Sequence, residues 1–143
     1  QAAFVINPLN SAVFGPEGLA NITVPIMMVS GSQDTVTPAV AEQIRPFTWL
    51  ESPDRYFVLM EGGTHFSTIY DPQAPESVEL PEVVIGPNPN AAQGYIEAMG
   101  LAFFKTHLAE DNTYQQYLTP AASTALSNPD IPLSLVREFT FEE

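Results

Sequence analysis

The sequence predicts an α/β fold, a parallel sheet flanked by helices. Three short apolar runs rich in β-branched and aromatic residues, at 2–6, 25–29 and 56–60, carry this expectation. Each is nearly continuous rather than alternating, as a strand buried on both faces of a parallel sheet reads. A helical stretch between the second and third runs completes a strand–helix–strand unit, whose crossover is right-handed. A longer apolar helix at 91–108 supplies a covering layer.

The elements can be justified in chain order. Residues 2–6 form the first strand. From Asn7 to Val24 turn residues dominate, with Asn7-Pro8, Gly15-Pro16 and Gly18, and leave room for one short helical turn. The second strand covers 24–30. Thr37 can then cap a helix that has Pro38 at its first position and ends near Arg45, before Pro46. The third strand covers 56–61. The segment 66–90 holds Pro72, Pro75, Pro81, Pro87 and Pro89 with Glu76, Glu79 and Glu82. Loops of that length in a compact domain tend to be functional covers or disordered stretches.

The helix at 91–108 starts from a variant capping box, Asn90 with Gln93. Ile96, Met99 and Phe103 make one apolar stripe, and Tyr95, Ala98 and Ala102 the next; a helix that apolar is largely buried. Lys105 and His107 fall in its last turns, beside the negative end of the dipole. His107 reads as solvated there. Residues 1–110 thus form one unit. The tail 111–143, broken by Pro120, Pro129 and Pro132, packs on it or extends from it and offers at most one more short helix or strand.

Composition narrows the function. Four basic residues stand against 17 acidic ones, a formal net charge of −13. Such a field repels phosphate backbones, which argues against a nucleic-acid partner. No stretch approaches the roughly 18 apolar residues needed to span a bilayer. The absence of Cys removes disulfides and thiolate chemistry. Two histidines far apart in sequence give no expectation of a metal, and no cofactor is implied. Charged residues make up 15%, below the usual quarter or so. Together with a first residue that leads straight into a buried strand, this suggests a piece of a longer protein. Such a piece is expected to self-associate through its open strand edge and uncovered apolar faces.

The chemistry-bearing residues lie past the strand ends. The second strand runs into Ser30-Gly31-Ser32-Gln33-Asp34 and the third into Glu61-Gly62-Gly63-Thr64-His65. In an open parallel sheet, ligands bind beyond the carboxyl ends of the strands. Asp34 and His65 both fall there, on strands that should be neighbours. A carboxylate so placed can accept from an imidazole, fixing its tautomer and stabilising the imidazolium during proton transfer. Taken singly, Asp34 also reads as a turn aspartate and His65 as a loop histidine satisfied by backbone groups. Other acids are worse placed. Asp54 precedes its strand and lies roughly 20 Å away at about 3.3 Å per residue, and Asp71 reads as a turn residue before Pro72. Ser30 and Ser32 sit on no strand-to-helix elbow and should bond backbone groups in their turn. Glu61 reads as a surface or ion-pair residue.

The pattern strand, Gly-Ser-x-Asp-x-x-x-x-Pro, helix, strand, Gly-x-x-His resembles the acid and histidine loops of the α/β-hydrolase family. The closest likeness is to dienelactone-hydrolase-like and lipase-like members, over positions 1 to about 110. The resemblance implies that 1–7, 24–30 and 56–61 are the sixth to eighth strands of that fold and 91–108 its last helix. It also implies a serine hydrolase acting on a carboxylic ester as its small-molecule substrate, chain length unspecified, through a Ser-His-Asp triad, with Asp34 as acid and His65 as base. In that family the chain order is serine, acid, histidine. No Gly-x-Ser-x-Gly occurs in residues 1–143, so serine and oxyanion donors are expected upstream of Gln1, in an N-terminal half, and these residues alone should be inactive. The alternative is a non-catalytic α/β module that binds a partner through the acidic loop 66–90.

Overall fold

A computed structural model describes residues 1–71 and 79–138. Four strands form one sheet in the order β1 (Ala3–Ile6), β2 (Ile26–Gly31), β3 (Arg55–Met60) and β4 (Leu133–Val136). The first three run parallel, with Ala3 opposite Ile26 and Ile26 opposite Arg55. β4 adds antiparallel to β3, Phe57 facing Val136. The sheet is therefore mixed, not purely parallel, and the architecture is α/β. β4 comes from the tail, which carries more structure than its prolines suggest: a 3₁₀ helix Asn112–Tyr117, the helix Pro120–Leu126 and the strand. Pro120 sits in the first turn of its helix, where a missing N–H costs nothing. Pro132 stands just before β4, and its carbonyl accepts from Glu61 N at 2.8 Å.

All six residues of β2 are buried, and they feed two cores in alternation. Met27 and Val29 join Tyr56, Val58 and Met60 under α4 (Pro89–His107), through its Ala92, Tyr95, Met99, Ala102 and Phe103. Ile26 and Met28 face the other way. There they meet Leu19 of α1 (Gly15–Ala20), Phe47 of α2 (Arg45–Phe47), and Phe57. The expected helix after Asp34 runs past its anticipated end. A π turn at Val40–Ile44 precedes α2, so Pro46 falls in a first helical turn rather than an interior one. This keeps Phe47 on the sheet, 5.4 Å from the Phe57 ring. α4 begins two residues before the expected position. Asn88, not Asn90, is its cap, accepting from Ala91 N at 3.0 Å, with Pro89 next.

His107 is not solvated as its place near a helix end suggests. Its Nε2 lies 3.1 Å from the Tyr56 hydroxyl, and its ring packs on Phe103 at 5.0 Å. Burial holds its pKa below the ordinary 6.5; the nearby Asp54 carboxylate opposes that shift and Arg137 adds to it. With the folded value below the unfolded one, the unfolded chain binds the extra proton first as pH falls. Stability from this site is complete above about pH 6.5 and is lost as pH drops through the unfolded and then the folded value. Urea midpoints at about pH 7.5 and 5.5 should therefore differ less in His107→Gln than in the parent.

β1 pairs only with β2 among the described residues, and its residues are partly exposed. Leu101 and Phe104 of α4 and Leu108 just past it are exposed too, with the Phe104 ring tilted 5.9 Å from Phe4 of β1. An open strand edge beside apolar surface recruits another chain. The charge of −13 opposes association, but salt screens it beyond about 10 Å. Sedimentation at micromolar concentration should show self-association; a compact monomer that binds no ANS would contradict it.

Candidate active site

Asp34 and His65 meet. Asp34 lies three residues past the end of β2 and His65 five past the end of β3. His65 Nδ1 lies 2.8 Å from Asp34 Oδ2. The carboxylate side chain is 0% exposed and the imidazole 27%. The same aspartate also closes a turn, since its Oδ1 accepts from Val36 N and Thr37 N, both at 2.8 Å. The turn role and the pairing role fall on different oxygens of one group. His65 Nε2 carries no hydrogen bond to any described residue. Phe66 stands edge-on to the imidazole at 5.6 Å.

Glycines allow the two loops to touch. A Cβ on Gly31 would stand 2.6 Å from the carbonyl carbon of Gly63, and one on Gly63 3.3 Å from Gly31 Cα. Backbone bonds then lock the contact: Ser32 N to Met60 O at 3.0 Å and Gln33 N to Gly63 O at 2.8 Å. Gly62 takes φ 80°, which favours glycine. Gly31→Ala should force this contact apart. The cost expected from overpacking is about 1–3 kcal/mol, read as a lower urea midpoint, with the Asp34–His65 pair loosened in step.

The histidine loop is also braced from above. Thr64 Oγ1 donates to Val84 O at 2.6 Å and Ser67 Oγ to Ile85 O at 2.9 Å, tying it to α3 (Glu82–Ile85). The segment 66–90, expected to be a functional cover or a disordered stretch, thus contains a helical turn. Pro72, Pro75 and Glu76 lie outside the described residues. An open cleft of about 550 Å³ runs beside the pair, between Gln33, Thr35 and Thr64 on the loops and Glu82 and Val83 on α3. Neither Asp34 nor His65 lines it.

The remaining sequence candidates separate cleanly. Asp54 sits before β3, at the other end of the sheet, in an exposed pair with Arg137 at 3.0 Å. Ser32 Oγ accepts from the backbone N–H of Gly62 at 2.8 Å, so it bonds the histidine loop and not its own turn as expected. Ser30 is fully buried and bonds a side chain instead, Gln43 Oε1 at 3.0 Å. Glu61 is exposed. No cluster of three or more His, Cys, Asp and Glu suited to a metal exists among the described residues, and no helix there is long and apolar enough to cross a membrane.

Two residues escaped the sequence reading. Thr37, expected as a helix cap, has its hydroxyl 2.9 Å from Asp34 Oδ2, 3.3 Å from His65 Nδ1 and 3.0 Å from Asn7 O. Asn7 is buried just past β1 at φ 46°. Its Oδ1 accepts from Gly31 N at 3.1 Å and its Nδ2 donates to His65 O at 3.3 Å. The strand-end rule that singled out Asp34 and His65 applies equally to the residue after β1, and was the signal available for Asn7. No protein-family model matches the chain.

Proposed function

We propose that these residues are the C-terminal portion of an α/β-hydrolase fold and supply the acid and the base of a serine hydrolase acting on carboxylic esters. The observation that carries this is the buried Asp34 carboxylate bonded at 2.8 Å to Nδ1 of a partly exposed His65 whose Nε2 bonds no described residue. Acid before histidine, on consecutive parallel strands, follows the chain order of the family's triad. With the proton on Nδ1 held by Asp34, Nε2 is a base. It would take the hydroxyl proton as the serine oxygen adds to the ester carbonyl, then give it to the departing alkoxide as that C–O bond breaks. A water molecule, deprotonated by the same Nε2, would then add to the acyl-serine carbonyl; as the C–O bond to serine breaks, Nε2 returns the proton to the serine oxygen and the acid is released. Asp34 would take no part in the proton transfers and would offset the imidazolium charge.

This reading requires a serine outside residues 1–143. The complete coding sequence should carry Gly-x-Ser-x-Gly between a strand and a helix upstream of Gln1, and its product should hydrolyse a short p-nitrophenyl ester. Lack of that motif would contradict the reading and favour a non-catalytic module.

A further inference from the structure

We infer that Thr37 and Asn7 are positioning residues for His65: Thr37 presents a second acceptor to Nδ1, and Asn7 fixes both Thr37 and the His65 backbone. The inference rests on the proposed role of His65 but is argued from hydrogen-bond inventory alone. The Thr37 hydroxyl has one proton to donate. Two of its neighbours, Asn7 O at 3.0 Å and Asp34 Oδ2 at 2.9 Å, can only accept from it when the carboxylate is ionised. The proton is therefore claimed on that side, and Oγ1 turns a lone pair to His65 Nδ1 at 3.3 Å. Nδ1 thus faces two oxygens, Asp34 Oδ2 and Thr37 Oγ1, and neither has a proton to give it. The arrangement forces the proton onto Nδ1 and leaves Nε2 as the free base.

Asn7 makes that geometry rigid. Only a side chain that both donates and accepts can bridge Gly31 N and His65 O, and Asn tolerates the left-handed backbone found here. Its own carbonyl receives the Thr37 hydroxyl. One residue at the end of β1 therefore ties the aspartate loop, the histidine loop and the hydroxyl between them. Gln43, fully buried, holds Thr37 from behind, its Nε2 donating to Thr37 O at 3.1 Å and Pro8 O at 2.7 Å.

The test is proton NMR of this chain with ¹⁵N-labelled histidine, His65 being assigned by its absence in His65→Gln. In the parent and in Thr37→Ser the hydrogen-bonded Nδ1 proton should be sharp and slow to exchange. In Thr37→Val and in Asn7→Gly, which keeps the backbone conformation available, that resonance should broaden beyond detection while backbone amide spectra away from the two loops are unchanged. An unchanged Nδ1 proton in Thr37→Val, or its equal loss in Thr37→Ser, would overturn the inference. In the longer, active protein Thr37→Val should lower kcat by about 10–100-fold at similar KM, the scale of a small misplacement, with Thr37→Ser restoring it. Hydrolysis indifferent to His65 itself would sink the catalytic reading while leaving the NMR result intact, so the two failures are distinguishable.

Discussion

If these residues belong to a serine hydrolase as proposed, replacing His65 by Ala in the longer protein should abolish hydrolysis of a short p-nitrophenyl ester, and Asp34→Asn should lower turnover by roughly 10⁴, the scale seen when a triad aspartate elsewhere is amidated. The asymmetry follows from the two groups' tasks. In the proposed mechanism His65 moves the proton; His107, the other histidine, is bonded to Tyr56 under α4. Asp34, on the same proposal, moves nothing. Its Oδ2 keeps the proton on Nδ1, whereas an Asn amide turned toward Nδ1 would donate and drive the proton to Nε2, the wrong nitrogen for a base. Asp34→Asn should also disturb its own loop, because Oδ1 holds Val36 N and Thr37 N. Circular dichroism and urea midpoints must therefore accompany the kinetics. Full activity in either variant contradicts the assignment.

Phe103→Ala should be the most damaging single truncation of the core. Phe103 is fully buried at the centre of an aromatic cluster, with ring centroids of Tyr56, Phe104, His107 and Phe4 at 5.9, 5.4, 5.0 and 6.1 Å. Removing a ring from such a site costs about 3–5 kcal/mol, the lost transfer energy plus the cavity left behind. Against a total stability of about 5–15 kcal/mol that is a large fraction. At a urea slope of about 2 kcal/mol per molar the midpoint should fall by roughly 2 M. The exposed Leu101 of the same helix gives the contrast: Leu101→Ala should change stability by no more than about 0.5 kcal/mol. Equal losses at both positions would mean that α4 is not seated on the sheet through Phe103.

The central fold and the pair were legible because both rest on local pattern. β1, β2 and β3 were continuous apolar runs, and Asp34 and His65 followed two of them at glycine-rich turns that admit close contact. What escaped was tertiary in origin. β4 is short and alternates buried with exposed residues, and only its pairing with β3 makes it a strand. The helix through Pro46 depends on a π turn that no propensity signals. The α4 cap moved from Asn90 to Asn88 because two asparagines flank one proline, and either reads as a start. Thr37 carried a good capping signature, yet its hydroxyl is drawn to Asp34, Asn7 and His65, which only the folded sheet brings together.

The most direct test of the proposed catalytic pair is labelling by a fluorophosphonate, which bonds covalently to a serine activated by an adjacent base. In the longer protein one serine upstream of Gln1 should be labelled, with labelling lost in His65→Ala and strongly slowed in Asp34→Asn. Equal labelling of the parent and His65→Ala would contradict the account.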